Sequence, residues 1–210
     1  MLSNDLSEMR ETIEVRRLEE TGFTIDQVFG LLKASFQQWL DHGIDSAVAR
    51  YSLEDFKEKT EGHTVIVAYS GDRLLGTLTM ELDRPPMCYG EFVAVTPGVK
   101  RCGIGAKLLE KQSAIAREKS CTYIVEDTSE KATWSVKWHL KQGYRKVGYA
   151  SFRTNDYYSY VFRKQLVPSR LWDSAVWCKC VFLCRYCKTK MLVDRFGNPT
   201  ALGRLLRHAK

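Results

Sequence analysis

Between residues 13 and 166 the spacing of apolar side chains changes period again and again, and this alternation limits the possible folds more than any other feature of the chain. A strand sends alternate side chains to one face, whereas a helix needs apolar residues three and four apart. Residues 13–18 (IEVRRL) read as a first strand. Thr24 and Gln27 have capping-box spacing, and Val28, Leu31, Leu32, Ser35, Phe36 and Trp39 then recur at helical intervals as far as Leu40, with Gly43 as the stop. Ser52 and Asp55 open a second, shorter helix in the same way. Period two returns in residues 63–69 (HTVIVAY) and 73–82, a hairpin about Ser70-Gly71-Asp72. A strand over 89–95, a helix over 104–119, a strand over 122–125 and a helix over 131–142 ended by Gly143 follow. A last hairpin pairs 144–152 with 157–166 about Thr154-Asn155-Asp156. The order β, α, α, β, β, β, α, β, α, β, β predicts an α/β (α+β) fold, a mixed sheet with helices on its faces.

Composition agrees with a packed domain. Of 210 residues, 44% are apolar and 27% charged, enough to build one core with a small appendage and unlike a disordered segment. The longest nearly apolar run, 175–184, is half of what a bilayer-spanning helix needs and carries Lys179, so no spanning helix is expected. The opening MLSNDLSEMRETIEVRR mixes acids with bases and has no apolar leader core, which makes the cytoplasm the expected location. Charge then divides the chain. Residues 1–167 carry 23 Lys and Arg against 23 Asp and Glu, while residues 168–210 carry 9 against 2, so the net +7 lies entirely in the second stretch. A domain over 1–167 and a basic extension over 168–210, meeting at Pro168, are expected.

The run most informative about chemistry is VAVTPGVKRCGIGAKLL, from Val93 to Leu109. A strand ends at Val95, a loop follows, and Gly103-Ile104-Gly105-Ala106 leads directly into a helix. Backbone N–H groups from Val99 to Gly105 would then meet at a helix N-terminus, where the dipole is positive and the first amides lack acceptors. Glycine at 103 and 105 removes Cβ atoms where a pyrophosphate has to touch the backbone, and Lys100 and Arg101 add cationic donors. No Gly-Lys-Ser/Thr follows, which excludes a Walker loop, and the third glycine of a dinucleotide fingerprint is missing.

This segment resembles the coenzyme A-binding motif of the GNAT acetyltransferase superfamily, Arg/Gln-x-x-Gly-x-Gly/Ala, here Lys100-Arg101-Cys102-Gly103-Ile104-Gly105. Lys100 keeps the charge of the usual first residue without its planar fork. Trp138-His139-Leu140-Lys141-Gln142-Gly143-Tyr144 is similar to the family's second motif, and the element order over about 12–166 is also the family's. The resemblance implies a mostly antiparallel, twisted sheet and acetyl-CoA as acetyl donor, transferring directly to a primary amine of a small molecule or protein. It further implies that the strands flanking the loop-helix segment splay apart around the pantetheine arm. Val93 and Val95, or Ala94 between them, would give the main-chain hydrogen bonds, one of them polarising the thioester carbonyl. Ala106 completes the pyrophosphate-binding turn with Cys102, Gly103, Ile104 and Gly105.

The attacking amine must be neutral, so something has to take its proton. Glu91 is the candidate base, sharing a strand face with Tyr89 and Val93; a solvated strand carboxylate is the alternative. The departing thiolate needs a proton. Where the family often has Tyr, this chain has His139, which is carried over as the general acid; Tyr144 is a second candidate, and a satisfied helix-face histidine is the plain alternative. Cys102 reads as a loop filler, since direct transfer needs no covalent intermediate. Tyr149, Phe152, Tyr157, Tyr158 and Tyr160 are available to line an acceptor cleft, although strand aromatics mostly serve packing.

In the extension, Trp177, Cys180, Val181, Cys184, Cys187 and Met191 share one helical face, with Lys179, Arg185, Lys188 and Lys190 around it. Cys178, Cys180, Cys184 and Cys187 are crowded into that pattern and are not spaced as paired metal knuckles, so no metal site is expected. An amphipathic helix packing on the body or on a second copy in a homodimer is the reading. A membrane surface or nucleic acid is the alternative partner, and a coenzyme A sensor or scaffold without turnover is the rival to the enzyme.

Overall fold

The computed structural model describes residues 12–99, 102–152 and 157–167. The chain divides after Cys121 into two compact units. The first holds β1 (Glu14–Arg17), a 3-10 turn at Leu18–Glu20, α1 (Ile25–Asp41), α2 (Ala47–Arg50), α3 (Leu53–Thr60), β2 (Thr64–Ser70), β3 (Arg73–Glu81), β4 (Met87–Val95) and α4 (Ile104–Glu118). The second holds β5 (Tyr123–Ser129), α5 (Thr133–Lys141), β6 (Arg145–Ser151) and β7 (Tyr158–Gln165). Seven strands with helices on them make the mixed α+β fold expected.

Within the first unit the strands run in the order β1-β2-β3-β4, every pair antiparallel. The capping boxes form: Gln27 N donates to Thr24 Oγ1 and Asp55 N donates to Ser52 Oγ, so α1 and α3 start where their side chains satisfy the first amides. The apolar stripe of α1 (Val28, Leu31, Leu32, Phe36) packs on Val65, Val67, Phe92 and Ala94, with Phe56 from α3. Leu32, Phe56 and Val67 are fully buried, each stabilising by about 1.5–3 kcal/mol over exposure. The other face meets α4. There Gly76 of β3 leaves the space that Ile104 and Leu108 occupy; a Cβ at Gly76 would lie 2.9 Å from Ile104 Cγ2 and 3.0 Å from the Ala94 carbonyl oxygen.

Three details depart from the sequence pattern. Ala47–Arg50 forms a single helical turn capped by Ser46, too short to carry a periodic signal. β5 continues to Ser129 rather than stopping at Val125, because Glu126 is buried and partnered and so does not end the strand. Strict alternation along β4 fails at Phe92, whose φ is +54°. The register passes from Thr79 opposite Glu91 to Thr77 opposite Ala94, so β4 carries one extra residue. Tyr89 and Glu91 keep a common face, but Ala94, not Val93, follows them on it.

In the second unit β7 lies between β5 and β6, antiparallel to both. The turn at Thr154–Asp156 and the extension over 168–210, with Cys178, Cys180, Cys184 and Cys187, lie outside the described residues. No helix among the described residues is long and apolar enough to cross a membrane.

Replacing Gly76 by Ala is expected to cost about 1–3 kcal/mol, since backbone and two packed side chains must move for one methyl. Urea unfolding of the two proteins measures it, and an equal midpoint would show that α4 does not rest on this glycine.

Candidate active site

The end of β4 is held in place by side chains that cap its main chain. Ser35 Oγ donates to the Val95 carbonyl at 3.0 Å, the Thr96 amide donates to the Leu75 carbonyl at 2.9 Å, and Thr96 Oγ1 donates to the Leu74 carbonyl at 3.1 Å. Val99 and Cys102 turn inward and anchor the loop. Gly103 is the N-cap of α4 with φ +83°, a left-handed backbone suited to glycine, and no side chain caps it. Gly103 and Ala106 are exposed, Gly105 is half-buried and Ile104 points into the core. The leading amides of α4 therefore open outward while Ile104, Leu108 and Leu109 fix the helix behind them. Such a turn fits a diphosphate: glycines where the backbone is approached, an N-cap that no described side chain satisfies, and a positive dipole. Lys100 and Arg101 lie outside the described residues.

Glu91 sits on β4 with 17% of its side chain exposed, so it is not a solvated strand carboxylate. His63, just before β2, places Nδ1 3.3 Å from Glu91 Oε1. The atoms are at ion-pair distance but off the line of a hydrogen bond, and neither finds a hydrogen-bond partner among the described residues. The neighbouring Glu91 raises the His63 pKa, against its burial. Glu91, Val93, Ala94, Val95 and the turn at Gly103 all belong to the first unit; His139 belongs to the second.

His139 is 4% exposed, and both of its ring nitrogens are engaged. Nδ1 donates to the Ser135 carbonyl one turn back at 2.8 Å, and Nε2 lies 3.1 Å from Glu126 Oε2. Tyr144 OH donates to the other oxygen of Glu126 at 2.9 Å. The imidazole stacks on Phe162, with centroids 4.8 Å apart and planes at 18°. With Nδ1 committed as a donor, a proton between Nε2 and the carboxylate makes the pair an imidazolium beside a carboxylate. Burial works to lower the His139 pKa, but the Glu126 hydrogen bond and charge, with the Ser135 carbonyl, outweigh it and raise the pKa. Sequence reasoning found His139 and Tyr144 but not Glu126 and Ser135. The signal available was the four-residue spacing of Ser135 and His139 and a lone carboxylate inside a strand. Among the aromatics, Tyr149 and Tyr160 face each other across β6 and β7, centroids 4.8 Å apart, and Tyr157 is buried.

The family model described as the Acetyltransferase (GNAT) family matches residues 25–144, more than half of the chain and inclusive of both the glycine turn and the α5 motif. The chain belongs to the GNAT acetyltransferase family. Solved structures share the GNAT fold at low identity. An aminoglycoside 6'-N-acetyltransferase complexed with coenzyme A is 15% identical, with TM-score 0.58 over 74% of this chain and 98% of that one. A GCN5-related N-acetyltransferase from Kribbella flavida is 17% identical, TM-score 0.57, over 74% and 98%. The protein yncA from Salmonella typhimurium, solved with its cofactor acetyl-CoA, is 14% identical, TM-score 0.57, over 78% and 99%. No curated protein sequence matches the chain.

His139→Gln removes the cation from beside buried Glu126 and is expected to cost about 3–5 kcal/mol. The folded pKa of His139 lies above its ordinary value of 6.5, so the stability it adds is complete below that pH and fades as pH rises through the folded pKa. Urea unfolding should therefore show a larger gap between the native GNAT chain and His139→Gln at pH 6 than at pH 9. A gap that widens with pH would exclude the buried imidazolium.

Proposed function

We propose that this member of the family is an N-acetyltransferase that uses acetyl-CoA as donor and moves the acetyl group directly to the nitrogen of a primary amine. The observation that carries the reading is the outward-facing start of α4 at Gly103, which no side chain among the described residues caps. The amides of Cys102, Gly103, Ile104, Gly105 and Ala106 bind the diphosphate there, helped by the dipole of α4 and by Lys100 and Arg101. Main-chain groups of Val93, Ala94 and Val95 orient the thioester, and one N–H among them stabilises the negative charge that builds on its carbonyl oxygen. Glu91 takes the proton of the acceptor ammonium, leaving a lone pair to attack the carbonyl carbon as the carbon–sulfur bond breaks. The sulfur leaves as a thiolate. His139 supplies its proton in this reading, with Tyr144, bound to the same carboxylate, as the other donor, while the second proton that the nitrogen sheds on becoming an amide passes to solvent. The engagement of both His139 nitrogens favours a second reading, a coenzyme A-binding module without turnover. The cytoplasmic location belongs to the same proposal.

Gly105→Glu tests the turn. A carboxylate in the first turn of α4 favours the helix by about 0.3–1 kcal/mol, so the fold persists while a like charge occupies the diphosphate position. Acetyl-CoA should no longer raise the melting temperature of this variant; an unchanged shift would remove the turn from the binding site. For Glu91→Gln, thiol release with acetyl-CoA and amine is expected to fall by about 10²–10⁴ and to lose its dependence on alkaline pH. A pH profile identical to that of the unaltered chain would take the base role from Glu91. Binding of acetyl-CoA without thiol release on any amine would establish the second reading instead.

A further inference from the structure

On the face of the first unit that carries α1, apolar packing reaches Val65, Phe56 and Phe92 and then gives way to His63, Thr79, Glu81 and Glu91. The register brings these four together. Thr79 stands opposite Glu91, Glu81 opposite Tyr89, and Thr64, beside His63, opposite Met80. Thr79 is 0% and Glu81 5% exposed. Yet among the described residues Thr79 Oγ1, Glu81 Oε1, Glu91 Oε1 and His63 Nδ1 are all buried atoms without a hydrogen-bond partner, four of the five such side-chain atoms there. Glu91 and His63 form an ion pair with each other and Glu81 forms one with Arg84, but none of the four atoms completes a hydrogen bond. A buried polar atom without one costs about 1–3 kcal/mol, so four on one patch mark a place built to receive polar atoms from beyond the described residues.

The charge of the patch says which polar atoms. Arg84 Nε lies 3.5 Å from Glu81 Oε1 and 3.8 Å from Asp83 Oδ1, and it is the guanidinium that Glu81 and Asp83 share. Three carboxylates, Glu81, Asp83 and Glu91, thus stand against one arginine and an imidazole. Burial first, then the neighbouring Asp83, raises the Glu81 pKa, as expected of a carboxylate with too little positive charge around it. These groups are not arranged to hold a metal ion. An ammonium suits them: it brings three donors and no acceptor, and the oxygens of Glu81 and Thr79 that make no hydrogen bond are acceptors.

We infer that Glu81 and Thr79 form a subsite for a second ammonium of the acceptor, so that the preferred substrate class is a short aliphatic diamine. One nitrogen is acetylated at Glu91 and the other stays charged at Glu81; the inference rests on the proposed acceptor role of Glu91. Glu91 and Glu81 are diagonal cross-strand neighbours, about 7–8 Å apart at the backbone, which is roughly the reach of a diamine with four methylenes. A monoamine of the same length leaves Glu81 and Thr79 unpaired and loses a charge-assisted contact.

The test compares 1,4-diaminobutane with 1-aminobutane on the full chain. Calorimetric titration without acetyl-CoA should show the diamine bound at least about tenfold more tightly, the worth of one hydrogen bond to a charged group. Thiol-release assays should give the same preference in kcat/KM. Glu81→Gln, which keeps the shape of the side chain, should bring both ratios to within about threefold of one. Equal binding of the two amines by the unaltered chain, no binding of either, or a preference that survives in Glu81→Gln each overturns the inference. Acetyl-CoA titrated separately reports on the proposed function. A chain that binds acetyl-CoA but ignores the second nitrogen refutes only the subsite, and one that favours the diamine but does not bind acetyl-CoA supports the subsite and refutes the donor assignment.

Discussion

Phe92 holds a left-handed backbone, φ +54°, in the middle of a strand, and much of the first unit depends on that one residue. Such a conformation costs a non-glycine residue roughly 1–2 kcal/mol, so the surroundings must hold it there. They do so through its ring, which lies edge-on to Phe56 at 5.4 Å and to Tyr51 at 6.2 Å inside the cluster built by α1 and α3. The extra residue that this kink inserts changes which side chains of β4 share a face. Glu91 stays with Thr79 and the polar patch, while Ala94 joins the apolar packing and the strand runs on to Val95 and the loop before α4. The chemical edge of β4 and its structural end are therefore set by one aromatic packing interaction.

The two units handle protons in opposite ways. Around Glu91 the buried polar atoms meet in ion pairs but complete no hydrogen bonds among the described residues. Around Glu126 both carboxylate oxygens are taken, one by His139 and one by Tyr144, and the ring between them is clamped by Ser135 and Phe162. Removing one member of such a network leaves a charge without its partner in a dry place, which is why His139 bears on stability whatever it contributes to transfer.

How much of this was legible in the sequence follows from the reach of each interaction. Capping at Thr24 and Ser52 is written within four residues, and both helices begin where those signals stand. The glycine turn was legible for the same reason: Gly103 needs positive φ locally, and Ile104, Leu108 and Leu109 show the buried side of α4 by spacing alone. What escaped depends on distant partners. Glu126 looks like a strand terminator until His139 and Tyr144, 13 and 18 residues away in the chain, are placed against it. The alternation that grouped Glu91 with Val93 could not reveal a bulge whose support comes from Phe56 and Tyr51. Neither could it show that His63, Thr79 and Glu81 converge on Glu91, since pairing register, not sequence proximity, brings them there.

Gly76 touches none of these groups, yet the missing methyl on β3 lets α4 lie directly on the strand, with Ile104 and Leu108 in the space. The height of that helix above the sheet, and hence the aim of its first amides, is governed by a position that no inventory of ligand-facing residues would include. Homologues that carry a bulkier residue there would have to seat the helix farther out and recover the aim by other means, so the volume at this one position sets how closely the helix can approach the sheet.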